Sequence, residues 1–297
     1  MASSLLRWYA RHGRRLPWRN TSDPYRILVS EVMLQQTQVH RVLGKYPEFL
    51  HRFPTLPSLS RAQQRSVIKT WRGLGYNNRA VRLHRLARTV VAEHRGRMPE
   101  DEKSLSALPG LGRYTVNALR CSAFGAQVPL VDVNVRRSLS RLFWHMPTTV
   151  DMRPEREIWN LAQSLLPRQR AYAWNQALMD MGARVCTARN PRCAGCPVSQ
   201  FCRSRRSMKP AVRVIATREP SRDGLPNRIY RGRIIRELSR GSGKTAVPLT
   251  TLGKKIHPRY DRRHQRWLLS LLEALQKDGL IGIQGKRRPA SSRVFLS

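Results

Sequence analysis

The chain has 297 residues, of which 40% are hydrophobic, so it can form two domains with apolar cores. It contains no run of 18 apolar residues, which excludes a transmembrane helix, and its first 15 residues lack the apolar core of a secretory signal. The net charge of +38 divides into +20 for residues 1–202 and +18 for residues 203–297. Such a chain is attracted to polyanions, and nucleic acid is favoured over the plain alternative of a merely basic or ribosome-associated protein.

Residues 1–202 are predicted to be mainly α-helical. Several stretches carry apolar residues at three- and four-residue spacing, separated by short breaks of glycine and proline, and strand signals are nearly absent. The predicted helices are Tyr25–Val42, Leu59–Trp71, Arg79–Glu93, Tyr114–Phe124, Val133–Phe143, Glu155–Leu166 and Tyr172–Met181.

A polar linker rich in Arg, Ser and Pro is predicted over residues 203–226, followed by a small unit over residues 227–297. Its predicted helices are Ile229–Leu238, Val247–Ile256 and Arg263–Lys277. Two β-branched runs, Leu280–Ile283 and Arg293–Leu296, flank a basic loop over Gly285–Ser292. Three helices followed by a two-stranded wing indicate a winged-helix-like α/β unit.

Four cysteines lie within 17 residues, at Cys186, Cys193, Cys196 and Cys202. Four thiolates so close together can hold one iron–sulfur cluster or one zinc ion. The spacing contains a single C-x2-C pair, whereas a zinc ribbon has two, so a [4Fe–4S] cluster is favoured and zinc stays open. Cys121 lies in an apolar stretch and is predicted to be a buried free thiol. The absence of a secretory signal indicates a reducing compartment, which disfavours disulfides.

Residues Leu108–Thr115 read Leu-Pro-Gly-Leu-Gly-Arg-Tyr-Thr, between two predicted helices. Gly110 and Gly112 allow a sharp turn and leave free N–H groups at a helix N-terminus, where a phosphate can bind. The pattern predicts a helix-hairpin-helix that holds the DNA backbone without reading sequence. An ordinary glycine-rich connector is the alternative.

The hairpin, the following Asp132 and the four-cysteine loop, in this order, resemble the helix-hairpin-helix base-excision DNA glycosylases with an iron–sulfur cluster. Four further stretches resemble the adenine DNA glycosylase (MutY) branch: Leu16-Pro-Trp-Arg19, Ser30-Glu-Val-Met-Leu-Gln-Gln-Thr-Gln-Val39, Gly73-Leu-Gly-Tyr76 and Trp174-Asn-Gln-Ala-Leu-Met-Asp-Met-Gly182. The resemblance covers about residues 5–202. It implies a bilobal, mainly α fold, a [4Fe–4S] cluster on the four cysteines, and double-stranded DNA with a mismatched or damaged base as partner.

The resemblance also implies catalytic roles. Glu31 matches the acid that protonates the purine, and its apolar neighbours predict a raised pKa. Asp132 matches the carboxylate that stabilises the sugar cation; it also reads as the N-cap of the following helix, and Asn134 belongs to the same motif. Tyr114 stands where bifunctional relatives carry a lysine, so the enzyme is expected to be monofunctional and to leave an abasic site.

Further matches imply contacts to the substrate. Leu16, Trp18 and Arg19 match the pocket wall, and Gln176 matches the residue at the adenine edge. Gln36 and Tyr76 match residues that fill the duplex where the base has left the stack. For Trp18 and Tyr76, a plain role as core aromatics is the alternative.

Two departures from the family leave the substrate open. Val133 follows Asp132 where the family usually has glycine, a feature closer to the mismatch thymine glycosylases, and residues 227–297 do not resemble the Nudix-like domain that recognises 8-oxoguanine. A thymine/uracil glycosylase acting on G·T or G·U, and a non-catalytic iron–sulfur redox regulator that binds DNA, therefore remain alternatives. We expect a cytoplasmic monomer, nucleoid-associated in a prokaryote, without a membrane contact.

Overall fold

The structure, a computed structural model, describes residues 1–146, 153–208, 219–240, 246–285 and 292–297. The chain folds as two compact units: one of Met1–Glu31 with Met98–Val214, the other of Val32–Arg97 with Ile215–Ser297. The sequence predicts domain boundaries after residues 202 and 226. These boundaries do not coincide with the two compact units, and the predicted domains stay a prediction. Residues 209–218 of the predicted linker and residues 286–291 of the predicted wing loop lie outside the described residues.

The described part of residues 1–202 is helical, as predicted. The helices are α1 (Ala2–His12), α2 (Pro24–Leu34), α3 (Val39–Arg52), α4 (Leu56–Arg61), α5 (Gln64–Trp71), α6 (Asn78–Glu93), α7 (Glu102–Ala107), α8 (Arg113–Phe124), α9 (Val133–Trp144), α10 (Glu155–Ser164) and α11 (Ala171–Arg184). Within the described residues, no helix is long and apolar enough to cross a membrane.

Two of the predicted helices are each divided in the structure. The prediction Tyr25–Val42 corresponds to α2 and α3, and the prediction Leu59–Trp71 corresponds to α4 and α5. Helix α1 was not predicted. Its Leu5 packs in a core with residues of α9, α10 and α11, including Leu139, Ile158 and Trp174. This core fixes the N-terminus of α9 within the first unit.

The described part of residues 219–297 forms a small α/β unit, and its first two strands lie within the predicted linker over residues 203–226. Its elements are β1 (Ser221–Arg222), β2 (Leu225–Pro226), α12 (Asn227–Leu238), β3 (Val247–Pro248), α13 (Leu249–Ile256), α14 (Gln265–Lys277), β4 (Ile281–Gln284) and β5 (Arg293–Leu296). β5 pairs antiparallel with both β3 and β4, giving the strand order β3-β5-β4. Val247 and Pro248, predicted to begin a helix, instead form β3, because they pair with Val294 and Arg293. The mainly α fold with a small C-terminal α/β unit is confirmed.

The α/β unit shares one hydrophobic core with helices from the first hundred residues. Ile68 of α5 and Val81 of α6 belong to the same buried cluster as Ile234, Leu268 and Val294. The side-chain amide of Gln64 also donates to the Gly279 carbonyl at 2.8 Å. This core explains why residues 215–297 group with residues 32–97 in one compact unit.

Arg79 of α6 organises the irregular segments that follow α2 and α5. Its side chain is buried, and its guanidinium donates to the carbonyls of Val32, Met33, Gln35, Gly75 and Tyr76. The first three carbonyls would accept backbone bonds if α2 continued, so this contact explains why α2 ends at Leu34. Burial lowers the pKa of Arg79 to about 10, which still leaves it charged at neutral pH.

We expect Arg79→Lys to lower the free energy of unfolding by roughly 2–4 kcal/mol, because an ammonium group cannot reach carbonyls on both segments and leaves some of them unpaired. The measurement is urea unfolding at equal iron content. Arg82→Lys, an exposed position on the same helix, is the matched control. Equal midpoints for the two variants would contradict this role of Arg79.

Candidate active site and cysteine loop

Glu31 lies near the end of α2, in the first unit. Burial raises the pKa of its carboxyl from 4.5 to about 7, and the negative charge of Asp132 acts in the same direction. A hydrogen bond with Tyr114 and the charge of Arg19 oppose this rise but are weaker. The predicted desolvation of Glu31 is therefore confirmed, and a large fraction of the carboxyl holds its proton at neutral pH.

Asp132 is the N-cap of α9, as predicted. Its Oδ1 accepts hydrogen bonds from the backbone N–H groups of Asn134 (2.9 Å) and Val135 (2.7 Å), and its Oδ2 accepts from Asn134 Nδ2 (2.8 Å). Donors are therefore directed at both carboxylate oxygens of Asp132, which fixes the orientation of the group. Glu31 and Asp132 interact electrostatically, so the two carboxyls belong to one site, as acid catalysis with cation stabilisation requires.

Tyr114 is placed by the predicted hairpin. Helices α7 and α8 flank residues 108–112, Gly110 has φ +84°, and Gly112 is the N-cap of α8. Tyr114 follows in the first turn of α8, where its hydroxyl lies 3.5 Å from Met179 Sδ. Burial raises the pKa of Tyr114 well above its ordinary value, and the neighbouring charge of Glu31 adds to this. The phenol therefore stays neutral beside Glu31.

The predicted pocket wall contains an ion cluster that the sequence did not predict. Asp180 of α11 is fully buried and accepts from Arg19 (2.7 and 2.9 Å) and from the Arg14 backbone (2.8 Å) and guanidinium (2.7 Å). Burial opposes the negative charge, but these hydrogen bonds hold the pKa of Asp180 below its ordinary value. A single acid between Met179 and Met181 in an otherwise apolar helix was the signal that could have pointed to it.

Leu16, Trp18 and Gln176 are buried in the first unit, with 6%, 7% and 7% of their surface exposed. Trp18 is therefore a core aromatic residue, as the alternative predicts. A core aromatic residue can also form part of a pocket wall. Gln176 lies on α11 one turn before Asp180.

Gln36 and Tyr76 lie in the second unit. Both have left-handed backbone conformations (φ +53° and +44°), which are uncommon for residues other than glycine, and the Tyr76 side chain is 57% exposed. Exposure excludes the core-aromatic alternative for Tyr76. Arg79 accounts for both conformations, because it binds the carbonyls of Gln35 and Tyr76.

The four loop cysteines are free thiols that line one cavity, which is partly open to solvent. Burial raises the pKa of Cys196 to about 11 and also raises that of Cys202. Thiolates are therefore unfavourable here unless a cationic centre compensates them, which is what a metal cluster does. The donor set fits an iron–sulfur cluster. Cys121 is buried and far along the chain from this set, as predicted.

The chain is similar in sequence to known DNA repair proteins. Residues 29–164 match the model of the HhH-GPD superfamily of base excision DNA repair proteins, and residues 186–202 match the iron–sulfur binding domain of endonuclease III. Adenine DNA glycosylase of Mycolicibacterium smegmatis is 40% identical over 78% of this chain and 78% of its own length. The chain belongs to the adenine DNA glycosylase family.

Other members of this family are longer than the region they share with the chain. The human and Mycobacterium tuberculosis adenine DNA glycosylases are each 41% identical, over 69% and 66% of this chain. The chain spans 39% and 65% of the length of those two relatives.

Among solved structures, a thermostable thymine-DNA glycosylase is 31% identical, with a TM-score of 0.65 over 69% of this chain and 95% of its own. An endonuclease III–DNA covalent intermediate, at 21% identity and a TM-score of 0.60 over 69% of this chain and 94% of that one, shares the fold.

The family's iron–sulfur loop is joined to the candidate catalytic aspartate by hydrogen bonds. Arg137 of α9 donates to Asn134 Oδ1 (3.0 Å) and to the Cys186 carbonyl (2.9 Å), and Asn134 in turn donates to Asp132. Arg137 also donates to the Gly182 carbonyl at 2.7 Å. Gly182 also allows α11 to lie close to Asn134 of α9, because a Cβ at residue 182 would lie only 2.8 Å from Asn134 Cβ.

Arg141, one turn after Arg137, is 1% exposed and holds the start of the cysteine loop. It donates to the carbonyls of Thr187 (2.7 Å) and Ala188 (3.0 Å) and to Cys186 Sγ (3.4 Å). Neither arginine was predicted from the sequence to have such a role. Their signal was two charges four residues apart on the apolar face of a predicted helix.

The raised pKa of Glu31 makes the stability of the protein depend on pH. Below pH 4.5 the carboxyl is neutral in the folded and the unfolded chain, so it does not lower the free energy of unfolding. Between pH 4.5 and 7 only the unfolded chain loses the proton. The free energy of unfolding therefore falls with rising pH, by a total on the order of 3 kcal/mol. Above pH 7 this decrease is constant.

We therefore expect Glu31→Gln to stabilise the protein relative to wild type by about 1–3 kcal/mol more at pH 8 than at pH 4. Urea unfolding at the two pH values measures this difference. Glu100→Gln, an exposed position, is the control and is expected to have no such dependence. A pH-independent difference for Glu31→Gln would show that its carboxyl is not desolvated.

Proposed function

We propose that this protein is a monofunctional DNA glycosylase of base excision repair that hydrolyses the N-glycosidic bond of adenine mispaired with 8-oxoguanine or guanine. The observation that carries the proposal is the pairing of a desolvated Glu31, whose pKa is about 7, with an Asp132 whose two oxygens accept three hydrogen bonds. The relatives named adenine DNA glycosylase support adenine as the base.

In the proposed reaction, Glu31 donates its proton to a ring nitrogen of the purine, which makes the base a better leaving group. The C1′–N bond breaks, the electron pair leaves with the protonated base, and a cation develops on the sugar. Asp132 stabilises this cation, and water adds to C1′ and gives its proton to the Glu31 carboxylate, which regenerates the acid. The hydrogen bonds from Asn134 and the α9 backbone hold the Asp132 carboxylate in position for this role.

The other residues of the first unit bind and orient the base. Arg19, held by Asp180, and Gln176 offer polar groups beside the buried Leu16 and Trp18, and an amide can pair with a purine edge in two places. Tyr114 replaces the lysine that a strand-cutting enzyme uses, and its neutral phenol cannot form a Schiff base. The product is therefore an abasic site.

Binding to double-stranded DNA is supported by the hairpin and the charge of the chain. The backbone around Gly112 is open, since nothing lies within 4 Å of a Cβ at that residue, and a phosphate can approach the start of α8. The exposed Gln36 and Tyr76 are suited to fill the duplex when the base leaves the stack. The [4Fe–4S] cluster, held by Cys186, Cys193, Cys196 and Cys202, would stiffen the loop without supplying a reacting atom.

A thymine or uracil glycosylase acting on G·T or G·U is the second candidate. Val133 favours it, since its side chain is 72% exposed directly beside Asp132, and so does the 31% identity to a thymine-DNA glycosylase. The non-catalytic redox regulator is disfavoured, because both candidate catalytic carboxyls, Glu31 and Asp132, are present and interact with each other. The monomeric state and the cytoplasmic location stay predictions.

Single-turnover base release on duplexes with A·8-oxoG, A·G, A·C, T·G and U·G tests the function. We expect strand breaks in the adenine strand that appear only after alkali, because the enzyme leaves an abasic site. Base release only from the T·G and U·G duplexes would instead support the thymine or uracil glycosylase. Breaks that form without alkali would contradict the monofunctional mechanism.

Glu31→Gln is expected to slow base release by about 100-fold or more while duplex affinity changes little, because a neutral amide cannot donate the required proton. The wild-type rate is expected to fall as pH rises above about 7, where Glu31 loses its proton. A stopped assay at several pH values and a mobility shift measure the two properties. Unchanged release by the variant would reject Glu31 as the acid.

A further inference from the structure

Three potential metal ligands converge in the C-terminal α/β unit, apart from the residues of the proposed reaction. Asp223 lies in the turn between β1 and β2, His257 follows α13, and His264 ends the short 3₁₀ helix before α14. A carboxylate oxygen of Asp223 and one ring nitrogen of each histidine lie within 4.8 Å of one another. Both imidazoles are buried (2% and 8% exposed), whereas Asp223 is exposed.

The hydrogen bonds of His264 leave one ring nitrogen with a lone pair. Its Nδ1 lies 2.8 Å from Asp261 Oδ1, and a carboxylate only accepts, so this contact places a proton on Nδ1. The Asp261 backbone N–H is farther from the same nitrogen, at 3.2 Å. Nε2 is then the nitrogen that can bind a cation. A carboxylate that holds the second nitrogen of a histidine is the usual outer support of a metal ligand.

His257 Nε2 lies 2.6 Å from Asp223 Oδ2, and its Nδ1 accepts from the Arg259 backbone N–H at 3.2 Å. In this arrangement Nε2 carries the proton that Asp223 accepts. A cation bound to His257 Nε2 would displace this proton. Nδ1 would then have to carry a proton, so it could no longer accept the 3.2 Å hydrogen bond from the Arg259 backbone N–H. Metal binding at His257 therefore requires a change of tautomer, in which the ring proton moves from Nε2 to Nδ1.

The two imidazoles are held by aromatic neighbours. Tyr230 stacks on His257 with ring centroids 5.7 Å apart, and Trp267 meets Tyr230 edge-on at 4.7 Å. The two imidazole centroids are 4.5 Å apart. Rings fixed by packing lose little freedom when they bind a metal, which favours binding.

We propose that Asp223, His257 and His264 bind one divalent transition-metal ion of the zinc class, with water in the fourth position. Two imidazoles and one carboxylate are ligands that suit zinc and disfavour magnesium or calcium. Tetrahedral zinc places its ligand atoms about 3.3 Å apart, so the three ligand atoms, which lie within 4.8 Å of one another, must shift slightly to bind it. The ion would link the β1–β2 turn to both ends of the segment between α13 and α14.

The test uses the purified full chain with its iron content measured, so that the cysteine loop is known to be filled with iron. Zinc binding is measured by competition with a chromophoric chelator and by thermal unfolding. We expect one zinc per chain and an unfolding temperature that rises with zinc concentration. Asp223→Asn, at an exposed position that the fold tolerates, is expected to weaken zinc binding about tenfold or more.

His257→Gln tests a buried ligand, and His51→Asn, an exposed histidine of the same unit, is the matched control that is expected to bind zinc as wild type does. Base release should be unaffected in Asp223→Asn, because the site takes no part in the proposed reaction. The proposal is overturned if the iron-loaded wild type binds no zinc, if Asp223→Asn binds it equally well, or if magnesium gives the same rise in unfolding temperature.

Discussion

Buried guanidinium groups hold the irregular segments on which the candidate site depends. Arg79 binds carbonyls that follow α2 and α5, Arg137 joins Asn134 to the cysteine loop, and Arg141 holds the start of that loop. A guanidinium carries five N–H donors in a rigid fork, so one side chain can satisfy several carbonyls that no helix or sheet uses. Without these contacts the segments would bury unpaired backbone groups.

The candidate chemistry follows from the different surroundings of two carboxyls in the same unit. Glu31 is desolvated, and its pKa rises to about 7, whereas Asp132 accepts three hydrogen bonds at the start of α9. The negative charge of Asp132 itself helps to keep Glu31 protonated. The hydrogen bonds that continue from Asp132 through Asn134 and Arg137 couple the position of this carboxylate to the cysteine loop.

The C-terminal residues add to the glycosylase fold a small α/β unit that shares its core with α5 and α6. Its net charge suits it to a polyanionic partner, and its histidine pair offers a metal site of a different chemical type from the cysteine loop. Thiolates favour an iron–sulfur cluster, whereas two imidazoles and a carboxylate favour zinc. The cysteine loop and the proposed histidine site are therefore expected to bind different metals.

Local patterns in the sequence determined the helical character of residues 1–202, the bounds of the last two strands to within one residue, the N-cap at Asp132, the hairpin and the cysteine loop. Each of these depends on residues close together in the chain. Only the tertiary structure decided where α2 ends, the left-handed conformations of Gln36 and Tyr76, the burial of Asp180 between two arginines, and the core that joins residues 215–297 to residues 32–97. These features depend on contacts between residues far apart in sequence, and helical or strand periodicity carries no record of such contacts.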